Sequence, residues 1–97
     1  PSGLSLEDGI YAAWVTIGYR RYKGALHFGP ITTFDETTKS LEVFLLDATE
    51  EELIGMENEA IKIDTVKKIR DIIKFDTTGE LTKQIREDIL VIDAILQ

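Results

Sequence analysis

The feature that most constrains this chain is its C-terminal apolar stripe. Leu81, Ile85, Ile89, Ile92 and Leu96 recur at steps of four, four, three and four, the spacing that lines side chains along one face of an α-helix. Thr77 and Glu80 stand ahead of the stripe at the spacing of a capping box, and Leu90 and Ile95 widen it. Such a helix persists only if its apolar face is covered, so either the rest of the chain supplies the surface or a second copy does.

What precedes the helix reads as strands. From Ile10, the aromatic and β-branched residues Tyr11, Trp14, Val15, Thr16, Ile17, Tyr19 and Tyr22 run up to Gly24. A second strand holds Leu26, Phe28, Ile31 and Phe34, and Gly29-Pro30 within it suggests an edge or a bulge, because proline cannot donate to a ladder. After a polar turn over 35–40, Leu41-Glu42-Val43-Phe44-Leu45-Leu46 begins with alternation and ends apolar on both faces, which predicts a central strand. The acid-rich segment 48–59 reads as a loop or hairpin tip carrying one helical turn capped by Thr49, and Ile61-Lys62-Ile63 as a short strand. Residues 64–75 stay open: Val66, Ile69 and Ile73 fit a helix, while Ile69, Asp71, Ile73 and Phe75 fit a strand.

With 43% hydrophobic and 30% charged residues over 97 positions, the chain predicts a folded protein with one core. The expected organisation is a single domain: a flexible leader over 1–9, a β-barrel-like core over 10–75 and the helix over 76–97. The chain has no cysteine, which removes disulfides and thiolate metal sites and points to a reducing, cytoplasmic setting. No apolar run approaches the roughly 18 residues of a membrane span, so no membrane partner is expected. Acids and bases balance over 1–40, so the net charge of −7 lies in 41–97 and opposes nonspecific nucleic-acid binding.

The order of strand, Gly24, a strand with Gly29, Ile31 and Phe34-Asp35, a polar turn, Leu41–Leu46, and then Ile61, Ile63-Asp64, Val66, Ile69 and Ile72 resembles small Sm-like and SH3-like barrels, most nearly the YolD-like bacterial proteins. The resemblance covers roughly Ile10 to Phe75. It implies a mainly β, five-stranded SH3/Sm-like barrel with a C-terminal amphipathic helix, acting without catalysis through assembly or partner binding. The uracil-binding residues of RNA-binding Sm proteins do not carry over, since the corresponding regions read Thr37-Thr38-Lys39 and Asp64-Thr65-Val66. If 64–74 is helical, the alternative is an α+β antiparallel meander covered by two helices.

Candidate sites are few. Leu81, Ile85, Ile89, Ile92 and Leu96 are the expected interface with a second copy or a larger protein, against the equally simple reading that they close the chain's own core. Tyr19-Arg20-Arg21-Tyr22-Lys23 interleaves aromatics with bases, as single-stranded nucleic-acid sites do, or is a strand whose rings pack while its bases stay in water. His27, the single histidine, is expected to point outward from its strand. Glu50-Glu51-Glu52, with Glu57 and Glu59, reads as a solvated loop without calcium-loop register, and otherwise as an acidic mimic of nucleic acid that would inhibit a basic partner. No nucleophile elbow, phosphate-cradling glycine loop or paired-histidine helix occurs, so no enzyme activity, cofactor or metal is expected. The expected function is a noncatalytic interaction or assembly module, with single-stranded nucleic-acid association or acidic mimicry as alternatives.

Overall fold

The computed structural model describes residues 6–33 and 36–97, and of 30–33 and 36–40 only the backbone. Its elements in order are β1 (Gly9–Ile17), β2 (Arg20–Thr33), β3 (Glu36–Leu45), α1 (Glu50–Ile54), β4 (Ile61–Arg70) and α2 (Thr78–Ile95). The strands form one antiparallel sheet in the order β3-β2-β1-β4. The architecture is therefore mainly β with a C-terminal helix. Four strands are described, where five were expected.

Gly18, at a φ of 61°, is the first residue of the two-residue turn between Ile17 and Arg20, where a side chain would strain the left-handed backbone. β2 runs unbroken through Gly29-Pro30, which the sequence marks as an interruption. β1 accompanies β2 only as far as Phe28 opposite Gly9; beyond that β2 has β3 alone beside it, so the proline lies where one flank needs no ladder bond. Gly29, at φ 151°, has Ile72 close against it: a Cβ there would lie 3.3 Å from the Ile72 side chain. Asp35 and Phe34, to which the sequence gives a turn and a core role, lie outside the described residues.

Residues 64–75 divide. The strand continues from Ile61 through Arg70, because β1 offers it an unpaired edge, and 71–77 is irregular. The α+β alternative, which needed a helix there, does not form. Val66 and Ile73, two members of the supposed helical stripe, are exposed.

The two central strands, β1 and β2, are covered on both faces. On one face Ala12 packs against Ile92 and Leu96 of the helix end, with Trp14, Ala25, Leu46 and Ile69 around them. On the other, Tyr11, Ala13 and Leu26 form one cluster, and Val15, Ile17 and Tyr22 form a second with Leu45, Ala48, Met56 and Ile63. Ile92 and Leu96 are fully buried, each contributing about 1.5–3 kcal/mol of apolar transfer. β3, expected to be central from its two apolar faces, is instead an edge strand. The reason is that cavities adjoin both of its faces: Val43 and Phe44 line one against α2, and Val43, Phe44 and Leu45 line another against β1, β4 and α1.

The α1 turn is capped by Thr49, as expected, and the cap is a full capping box: the Thr49 hydroxyl accepts from Glu52 N at 3.2 Å, and the Glu52 carboxylate accepts from Thr49 N at 3.3 Å. At α2, Thr77 Oγ1 accepts from Glu80 N at 3.1 Å. Among the described residues, no helix is long and apolar enough to cross a membrane.

Candidate functional site: a pocket between the sheet and the last helix

Strand alternation sends Ile10, Ala12 and Trp14 of β1 to the helix-covered face, and the pairing register carries Ala25 and His27 of β2, then Glu42 and Phe44 of β3, to the same side. Helix α2 lies across this face at an offset. Its end seals the sheet through Ile92 and Leu96, while its first half stands over a cavity of about 400 Å³. Ile10, Ala25 and His27 line the sheet side, Glu42, Val43 and Phe44 one wall, and Leu81, Ile85 and Ile89 the helix side. Small-molecule pockets span about 300–1,000 Å³ and are mostly apolar with a few fixed polar groups, which describes this one.

The polar groups differ in how far they are engaged. Arg70, at the end of β4, grips Asp88 of α2 in a fork: Nε donates to Oδ1 at 2.9 Å and Nη2 to Oδ2 at 2.7 Å. Gln84 Nε2 donates to Asp88 Oδ1 at 3.0 Å, and Arg70 Nη1 donates to the Asp71 carbonyl at 2.9 Å. The Arg70 and Asp88 side chains are only 18% and 11% exposed, so the charges neutralise each other away from bulk water. Glu42 has no such partner among the described residues. It stands directly opposite His27 in the ladder, so both side chains flank the same stretch of cavity. Phe44, two residues on, is 58% exposed and gives the mouth an aromatic face.

The helical stripe divides between two environments: Ile92 and Leu96 are spent on the core, whereas Leu81, Ile85 and Ile89 line the pocket. The aromatic-basic run does not form one surface. Tyr22 is buried and its hydroxyl donates to Glu52 at 2.9 Å; Arg20 pairs with Glu52 at 2.6 Å, Lys23 with Asp93 at 2.6 Å, and Arg21 lies 3.9 Å over the Trp14 ring. Tyr19 is fully exposed at the turn. Hydrogen bonds from Tyr22 and from the Thr49 backbone hold the Glu52 carboxyl below the ordinary carboxylate range, while burial and that carboxylate push the Tyr22 phenol up. Glu52 thus ties α1 to β2, and this glutamate of the acidic segment is structural.

A family model for flavokinase, riboflavin kinase, matches residues 2–96. The chain belongs to the riboflavin kinase family. Among its riboflavin kinase relatives, the RNA-binding riboflavin kinase RibR of Bacillus subtilis is 33% identical over 85 residues, covering 87% of this chain and 35% of the relative. The bifunctional riboflavin kinase/FMN adenylyltransferase of Bacillus subtilis is 36% identical over 83 residues, covering 82% of this chain and 25% of its own length. A solved structure described as a macrolide-efflux protein from Streptococcus pneumoniae superposes with a TM-score of 0.72 at 28% identity, over 89% of this chain and 27% of that one. The chain therefore spans about a third or less of these relatives.

Riboflavin kinase membership overturns the Sm-like, SH3-like and YolD-like resemblance. That pattern rested on a glycine, an aspartate and aliphatic spacing between Ile10 and Phe75, which antiparallel meanders share, whereas the riboflavin kinase match takes in the helix as well. It also overturns the expectation of a noncatalytic assembly module and of no enzyme, because the family is one of kinases. No motif in the sequence marks the pocket, because Glu42, Phe44, Arg70 and Asp88 come from three elements with no fixed spacing between them. The legible signal was Glu42 alternating with Phe44 on an otherwise apolar strand.

Proposed function

We propose that this chain supplies the flavin-holding part of a riboflavin kinase, with riboflavin in the pocket under α2 and Glu42 as the proton acceptor. The observation that carries this reading is Glu42 itself: of the two carboxylates lining the pocket, Asp88 is consumed by Arg70 and Gln84, and Glu42 makes no ion pair among the described residues. Phe44 and the aliphatic side chains of α2 line the same cavity and offer a planar ring system apolar surface, where burying its apolar area supplies affinity. A flavin hydroxyl beside Glu42 is then placed for phosphoryl transfer. Its oxygen attacks the terminal phosphorus of ATP, its proton passes to the carboxylate, and the bond from phosphorus to the ADP oxygen breaks.

The test is a riboflavin titration followed by flavin fluorescence, with chromatography for FMN after ATP is added. Saturable quenching by the unaltered chain, retained within about threefold in Glu42→Gln while FMN formation falls by about a hundredfold or more, is the expected result. Absence of saturable quenching overturns the reading. The RNA binding in the name of RibR belongs to that relative; in this chain the residues best suited to it, Arg20 to Lys23, are engaged in the contacts described above and do not favour a second reading.

A further inference from the structure

Among the polar atoms of the pocket, His27 Nδ1 stands apart. It is the one buried side-chain nitrogen or oxygen among the described residues that has no hydrogen-bond partner. Burying an N–H without an acceptor costs more than burying a bare lone pair, which assigns Nδ1 as the unprotonated nitrogen and Nε2 as the donor. Arg70 spends its fork on Asp88 and a further N–H on a backbone carbonyl, so it is not poised to reach a ligand. The imidazole N–H is then the side-chain donor with spare capacity beside the acceptor Glu42.

We infer that His27 is a substrate-binding residue of this pocket, donating Nε2–H to an oxygen of the ribityl chain of riboflavin. The inference rests on the proposed riboflavin site and adds to it a residue that reads the sugar-like tail rather than the ring. The register requires this division of labour. His27 and Glu42 face each other across β2 and β3, with Cβ atoms of such pairs about 4.5–5.5 Å apart, so a hydroxyl within reach of Glu42 brings the neighbouring oxygens of the same chain to His27. In this placement the ring goes to the part of the pocket lined by Phe44 and the aliphatic side chains of α2. Glu42 accepts and His27 donates, and a polyhydroxy chain offers both complements at successive carbons.

The experiment compares binding of riboflavin and of lumichrome, which keeps the ring and lacks the ribityl chain, to the unaltered chain and to His27→Phe and His27→Gln. Flavin fluorescence gives the affinities, and thermal unfolding of each variant reports whether it folds. His27→Phe is expected to weaken riboflavin roughly five- to tenfold and lumichrome less than twofold, with His27→Gln, which keeps an N–H donor, recovering most of the loss. Unchanged riboflavin affinity in a folded His27→Phe, or equal losses for both ligands, overturns the assignment of His27 while leaving the pocket in place. Failure of the unaltered chain to bind riboflavin overturns both. If His27→Phe does not fold, His27→Gln and His27→Ala decide by the same ratio of riboflavin to lumichrome affinity.

Discussion

Replacing Asp88 by Asn keeps the side chain's shape and the Gln84 contact while removing the charge that Arg70 was folded against. The Arg70 guanidinium, 18% exposed, would then sit under the helix with no carboxylate, and water at that exposure recovers only part of its solvation. Breaking a fully buried ion pair from one side costs about 3–5 kcal/mol, so this partly wet pair should cost about 2–3 kcal/mol. Removing both charges together, as Arg70→Met with Asp88→Leu, leaves apolar groups in an apolar neighbourhood and should restore most of that loss. Urea unfolding of the unaltered chain, of Arg70→Met and Asp88→Leu singly, and of the two together closes the cycle: midpoints shift while slopes stay constant, and the coupling energy should exceed about 1.5 kcal/mol. Lys23 and Asp93 provide the control, since Asp93 is 56% exposed and its coupling should stay below about 1 kcal/mol and fade in salt. Additive losses at Arg70 and Asp88, or a coupling no larger than the control, would refute the view that this pair pins α2 to the end of β4.

Ile92→Ala, at a site with no exposure, should cost about 2–5 kcal/mol in the same unfolding assay, whereas Leu90→Ala, 73% exposed, should cost under about 1 kcal/mol. Phe44→Ala should leave the urea midpoint nearly unchanged, because the ring is more than half exposed, yet weaken riboflavin about tenfold in a fluorescence titration. Because the Glu52 carboxyl titrates below its unfolded value, the stability it supplies is complete above the ordinary carboxylate range and drains away as pH falls through the folded value. The urea midpoint of the natural chain should therefore drop more on acidification than that of Glu52→Gln, and parallel curves would remove Glu52 from the account.

Helix α2 was legible from residues 77–96 because a helix writes its period and cap into neighbouring positions. The β1–β2 hairpin was legible only as β-prone sequence: the run from Ile10 to Gly24 read as one strand ending at Gly24, whereas the turn falls at Gly18-Tyr19 and Arg20 to Gly24 already belong to β2. The position of β3 was not. Two apolar faces ordinarily mark a strand between neighbours, and here they mark a strand between two cavities. Residues 64–70 were ambiguous because Val66 and Ile69 fit either period; the deciding fact, an unpaired edge on β1, lies some fifty residues upstream. The pocket was the least legible part. Arg70 and Asp88 meet only because α2 doubles back over the strand that precedes it, and Glu42 acquires meaning only beside His27, fifteen positions away in sequence and directly across the ladder.

The seal over Ala12 also sets an order of events while the chain is being made. Ile92, which covers Ala12, leaves the ribosome eighty residues after it, and the β4 strand that flanks β1 follows β1 by some fifty residues. Until then a nascent β1–β2–β3 meander carries the bare helix-side face of Ile10, Ala12, Trp14 and Ala25, along with an open edge on β1. That face and that edge stay open while the residues from β3 to α2 are being made, and the pocket exists only once the first half of α2 lies over the sheet.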